Sequence, residues 1–139
     1  MNYRPLPEDI RFLQQEVLQL GDSLRALPAY AEVDDALTTQ LLEEAGRFVG
    51  EVIAPLNREG DETGARFENG EVRMPPGFRE AYRAFVDAGW PALSAAPEDG
   101  GQGLPAVLDA VLFEWLSAAN HGFTMAPGLL HGAYECIRH

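Results

Sequence analysis

Apolar residues recur at steps of three and four along most of this chain, the spacing of helices buried on one side. In 8-EDIRFLQQEVLQL-20 the recurring positions are Ile10, Leu13, Val17 and Leu20, with Gly21-Asp22 as the stop. The strongest pattern covers 34–54: Leu37, Leu41, Ala45, Phe48, Val52 and Leu56 share one face, and Glu43, Glu44, Arg47 and Glu51 the other. Asp34 stands where an N-cap belongs, and Pro55 predicts an end or a kink. A third helix starts near Pro76, buries Phe78, Ala81, Tyr82, Phe85 and Val86, and stops at Gly89. A fourth runs from about Pro105 to Asn120. Its apolar positions, Val107, Leu108, Val111, Leu112, Trp115 and Leu116, cover so wide an arc that protein should surround it. A last helix is expected over 129–138, with Pro127-Gly128 as the interruption before it.

The helical period fails over 61–76, where Asn69-Gly70 sits between ARFE and EVRM. That is a hairpin signal, and two short strands alone do not make a sheet domain. The fold class is therefore all-α, with a small hairpin or ordered loop near 61–76. At 139 residues, 46% hydrophobic and 23% charged, the chain is long enough for one domain with a true core.

Net charge is −12, carried against ten Arg and no Lys, with acids spread from Glu8 to Glu135. No basic stripe offsets this, so no nucleic-acid partner is expected and anionic membrane surfaces are disfavoured. Charged residues break every apolar run before it reaches a membrane-spanning length. The start, MNYRPLPEDIRF, lacks the apolar core of a secretory signal, and a cytoplasmic location is expected. Cys136 is the one cysteine, which rules out an internal disulfide; a buried, unreactive thiol is the expectation.

Four features carry candidate chemistry. The stretch 97-PEDGGQGLP-105 places glycines before a helix, as a phosphate cradle requires. Glu98 and Asp99 oppose an anion there, no Lys is available and no long strand precedes the loop, so a turn is the better reading. His131, Glu135 and His139 fall four apart on one helix face, but no second cluster completes a metal shell, and none is expected. His121 follows Asn120 at a helix end, where capping is the plain reading. Adjacent acids such as Asp34-Asp35, Glu43-Glu44 and Asp61-Glu62 point apart on a helix and form no acid/base pair. Finally, the apolar stretch of Phe123, Met125, Pro127, Leu129 and Leu130 suits either a ligand tunnel or core; composition favours core.

The run 85-FVDAGWPALSAAPEDGGQGLPAVL-108, followed by 112-LFEWLSAANHGFTMAPGLLHGAYECIRH-139, resembles the flavin-dependent acyl-CoA dehydrogenases. The stretch 53-IAPLNREGDETGARFENGEVRMPPGFREAYRAF-85 is similar to their long-form bacterial branch, which includes the methylmercaptopropionyl-CoA dehydrogenases. The resemblance covers about 35–139, with 1–33 as an N-terminal extension holding one helix and 34–139 as the family's N-terminal helical domain, truncated at its C-terminal end. It implies α,β-dehydrogenation of an acyl-CoA thioester, with FAD taking the hydride and a glutamate taking the α-proton. In the family that glutamate and most flavin contacts lie in later segments. No catalytic or cofactor-binding residue is therefore assigned here, and Glu98, Glu114 and Glu135 are not promoted to base. The resemblance also implies an electron-transfer acceptor, a homo-oligomer, and a wall of the acyl pocket at Phe123, Met125, Pro127, Leu129 and Leu130. The expectation is the N-terminal segment of such an enzyme, inactive alone. The alternative is a free-standing, non-catalytic helical interaction module derived from that domain.

Overall fold

The computed structural model describes residues 3–138. In chain order they form α1 (Pro7–Phe12), α2 (Leu20–Arg25), α3 (Asp35–Phe48), α4 (Asn57–Thr63), β1 (Arg66–Glu68), β2 (Glu71–Arg73), α5 (Phe78–Asp87) and α6 (Ala106–Arg138). Asp34 caps α3 as its position predicts: its backbone is extended and its Oδ1 accepts from the Leu37 amide at 2.7 Å. Beyond Phe48 the chain stays helical but changes pitch, through a π turn at Val49–Ile53 and a 3-10 turn at Ala54–Leu56. Pro55 explains both. It has no amide hydrogen and its ring crowds the carbonyl four residues back, so the ladder widens until the Ala54 amide bonds to the Val49 carbonyl.

The hairpin forms as the Asn69-Gly70 signal predicts. Phe67 pairs with Val72, and Asn69 and Gly70 take positive φ of 50° and 82°, the pair of left-handed residues that a two-residue turn needs. Every strand residue is exposed, so the hairpin rides on the helices rather than building the core.

That core is made by α3 with its π turn, α5 and α6. Leu42, Val49, Ile53, Phe85, Leu112 and Leu116 are essentially sealed from solvent. Phe123 stands edge-on to Phe78 and Phe85, each ring centroid 6.0 Å away, and Phe48 bridges Phe85 to Trp90. The burial pattern corrects two expected faces. On α3 the centre of the buried stripe is Leu42, Ala45 and Val49, one step round from the predicted one, and Leu37 is exposed. On α5, Val86 is exposed while Phe78, Ala81 and Phe85 are buried.

The first predicted helix is also corrected. It converts to a π turn at Leu13–Val17 and breaks at Gln19, which adopts a left-handed backbone; Gly21-Asp22 lies inside α2. The wider turn shifts the register by about one residue. Gln14 consequently faces inward, Leu13 and Val17 face solvent, and Ile10 alone of the predicted face packs on the core from outside.

The last correction is the largest. The fourth helix ends at Asn120 as expected, its extended φ of −160° and ψ of 87° separating two limbs, 106–119 and 121–138; but the last helix starts at 121 rather than 129, and Pro127 lies inside it. Residues 22 apart along one straight helix would be about 33 Å apart; here His131 Nδ1 lies 3.4 Å from Asp109 Oδ2. A Cβ placed on Gly128 would lie 3.9 Å from the Phe113 ring, and the His131 and Phe113 ring centroids are 5.8 Å apart. The limbs therefore fold back alongside each other as a helical hairpin turning on one residue. Asn120 makes the turn and caps the second limb: its Oδ1 accepts from the Phe123 amide at 3.0 Å, and its carbonyl accepts from Thr124 Oγ1. A proline inside a helix costs about 3 kcal/mol, but Pro127 is itself buried, and the packing of the second limb outweighs it.

The loop into α6 allows a direct test of close packing. A Cβ on Gly101 would lie 2.0 Å from the Ala95 carbonyl oxygen, so backbone must move. A Cβ on Gly132, in the second limb, would meet nothing within 4 Å. Gly101→Ala is expected to cost about 3 kcal/mol, whereas Gly132→Ala should gain about 0.5–1 kcal/mol, both read from urea unfolding midpoints.

Candidate functional site

The five residues expected to wall a pocket do not share one face. Phe123, 3% exposed, and Pro127 point into the domain, while Met125, Leu129 and Leu130 are 51%, 69% and 56% exposed. The second limb thus carries an outward apolar surface that continues through Ala133 and Cys136 to Ile137. Cys136, expected to be buried, is exposed on that surface. The reason is the break at Asn120, which turns the limb so that Tyr134 and His131 take the inward positions.

Beside the limb lies a groove of about 380 Å³, lined by Phe78, Tyr82, Phe123 and Ala126, with Met74, Gly122 and two arginines, Arg79 and Arg83. Of the five expected wall residues, only Phe123 lines it. A second cleft, about 530 Å³ and more polar, shares Met74, Phe78 and Gly122 with it and reaches Asn57, Asp61, Asn120 and His121. Asn120 Nδ2 is buried without a hydrogen-bond partner. His121 is exposed, and the cap beside it is made by the Asn120 side chain.

A cluster that sequence reasoning missed joins the two limbs. Ser94 Oγ donates to Asp109 Oδ2 at 2.6 Å, and His131 Nδ1 is 3.4 Å from the same oxygen. Asp109 is 4% exposed and its Oδ1 has no partner. Burial pushes its carboxyl above the ordinary value of 3.8, with Ser94 and His131 pulling the other way and Glu135 adding to the rise. The three residue types suggest nucleophilic catalysis, but the order is wrong. The serine hydroxyl donates to the carboxylate, whereas an activated serine gives its proton to the imidazole. The cluster is a brace between the loop and both limbs. An Asp inside the apolar arc of 105–120 is the signal that could have pointed to it.

The glycine loop is likewise committed to structure. The amides of Gly100, Gly101, Gln102, Gly103 and Leu104 donate to the carbonyls of Pro97, Ala96, Ala92, Ala95 and Leu93 at 2.9–3.0 Å. None is left for a phosphate. Glu98 and Asp99 face a cation of the same chain: Arg138 reaches Glu98 Oε1 at 3.0 Å and Asp99 Oδ2 at 2.8 Å. The Tyr134 hydroxyl accepts from the Ala96 amide and donates to Asp99. This clasp fastens the far end of α6 to the loop. His131 is turned onto Phe113 and Asp109, and His139 lies outside the described residues. Among the described residues no three His, Cys, Asp or Glu side chains converge as metal ligands, and no helix is long and apolar enough to cross a membrane.

The domain is mainly helical, and the amides of its glycine loop are used for packing. Residues 36–139 match the family described as acyl-CoA dehydrogenase, N-terminal domain, and the chain belongs to that family. It is 42% identical over 137 residues to the 3-methylmercaptopropionyl-CoA dehydrogenase of Ruegeria pomeroyi. It is 29% identical over 144 residues to the butyryl-CoA dehydrogenase of Syntrophomonas wolfei. Each match takes in 99% of this chain and 23% of the relative, so the chain spans about a quarter of the length of these curated relatives.

Asp109 gives a pH test with a definite sign. Its folded pKa is raised, so the fold binds this proton more tightly than the unfolded chain does. Its contribution is therefore greatest below the ordinary carboxylate value and is lost as pH rises through the folded value. In urea melts between pH 3.5 and 8, wild type should lose stability relative to Asp109→Asn as pH rises; a flat difference curve would show that Asp109 titrates as a surface acid does.

Proposed function

We propose that this chain is the N-terminal segment of an FAD-dependent acyl-CoA dehydrogenase, and that the exposed face of its second limb walls the acyl pocket. The observation that carries the reading is an uncharged surface of Met125, Leu129 and Leu130 on a helix of a domain that belongs to this family. Soluble monomers rarely leave such a surface uncovered unless something binds it. Phe123 and Pro127 act beneath it, fixing the limb against α5 and the first limb. In this reading 1–33 is an extension of the domain, and within it α1 packs against α3, with Pro7 close to Gly46. The substrate is a thioester of a short acyl group, in line with the names of both relatives.

The glycine loop of this chain does not suit the pyrophosphate of FAD. The glycine-loop amides are all bonded to carbonyls and the loop's acids are paired with Arg138. Flavin binding and proton abstraction therefore fall to other segments of the enzyme, and an electron-transfer acceptor and subunit association belong to the assembled protein.

Two measurements test this. The purified 139-residue chain should show no turnover of acyl-CoA with a dye acceptor; turnover would sink the proposal. In the longer protein that carries this segment, Met125→Trp and Leu129→Trp should shift preference toward shorter acyl chains, seen in kcat/KM across a series of saturated thioesters. An unchanged profile would remove the limb from the pocket wall.

A further inference from the structure

We propose that the groove between α5 and the second limb binds a free alkyl carboxylate. The chain lies across Phe78, Tyr82, Phe123 and Ala126, and the carboxylate is held by Arg79 and Arg83. The volume, about 380 Å³, lies within the range of small-molecule sites, and the lining is mostly hydrophobic and aromatic. Charge points the same way. In a chain of net charge −12, Arg11, Arg25, Arg47, Arg58, Arg73 and Arg138 are each ion-paired. Arg79 and Arg83, like Arg4 and Arg66, make no ion pair among the described residues, but only Arg79 and Arg83 line this groove, and they do so although Glu80 and Asp87 stand on the same helix.

The two arginines are four residues apart, so their charges stack on one side of α5 and repel. An anion seated between them removes that repulsion and gains charge-assisted hydrogen bonds, while their methylene stems extend the apolar wall. The lining of α5 spans only 78–83, little more than one turn, too short to seat a partner helix. A thioester is neutral where its alkyl chain ends, whereas a free acid carries its charge there, as this groove requires. The inference does not rest on the acyl-CoA reading: the groove is lined by Gly122, Phe123 and Ala126, and Met125, Leu129 and Leu130 take no part in it.

Decanoate is the probe, titrated calorimetrically into the 139-residue chain, with decanol and decanoyl-CoA as comparisons. Saturable one-to-one binding of decanoate is expected, about tenfold weaker for decanol and for the Arg79→Gln/Arg83→Gln variant. Both arginines are exposed, so that variant should fold, which far-ultraviolet circular dichroism checks. Ala126→Trp, also at an exposed position, fills the groove and should abolish binding. Absence of saturable binding, or binding indifferent to the arginine pair, overturns the proposal. Tighter binding of decanoyl-CoA than of decanoate would assign the groove to the thioester and also overturn it. Neither result bears on the dehydrogenase reading, which is judged by turnover and chain-length preference.

Discussion

Asn120 is the residue on which the arrangement depends. It is 2% exposed, it interrupts a run of apolar helix, and it supplies with its own side chain the cap that restarts the helix. A helix continuing straight through this point would carry Phe123 away from Phe78 and Phe85 and leave the α5 face open. With the turn in place, Phe123 completes the aromatic cluster, His131 meets Asp109, and Tyr134 and Arg138 arrive at the glycine loop. One short polar side chain therefore decides which face of 121–138 is core and which is surface. That choice creates both the exposed apolar strip and the groove beside α5.

The loop at 97–105 shows how a sequence signature can be structural. Its glycines look like an anion cradle because both uses need backbone brought close to something else. Here that partner is the chain itself: a Cβ at Gly101 would collide with the Ala95 carbonyl, and the neighbouring amides are spent on carbonyls of 92–97. Glu98 and Asp99, which argue against bound phosphate, prove to be the acceptors for Arg138. The chemistry of the loop is thus directed inward, toward holding α6.

The local features were legible. The Asp34 cap, the Asn69-Gly70 turn and the existence of helices at 34–54 and 78–87 depend on neighbours a few residues away, and the fold class followed from them; the family came from the resemblance of 85–108 and its flanks. What stayed hidden depends on register or on distance. A π turn at 13–17 moves Gln14 inward and Leu13 outward, and periodicity counted at 3.6 residues cannot see it. The helix end at Asn120 was legible, but Pro127-Gly128 reads as a second interruption by propensity, and tertiary packing carries the helix through it. The five residues expected as a wall divide in the structure: Met125, Leu129 and Leu130 face out, Phe123 and Pro127 in. The Ser94–Asp109–His131 brace joins positions 15 and 22 apart, and no local rule reaches so far.

The clasp at the end of α6 also bears on the order of folding. The α6 hairpin closes through pairs such as Asp109 with His131, inside one continuous helical segment. The clasp joins Arg138 to Glu98 and Asp99 across 40 and 39 residues, and it needs the glycine loop already shaped to present those acids. Loop-closure entropy rises with separation, so the hairpin is the natural nucleus and the clasp a late, locking contact. Interactions absent from the transition state act on the unfolding rate. Arg138 and Tyr134 therefore govern how long the second limb stays docked more than how fast it docks, and they set the lifetime of the surface it presents.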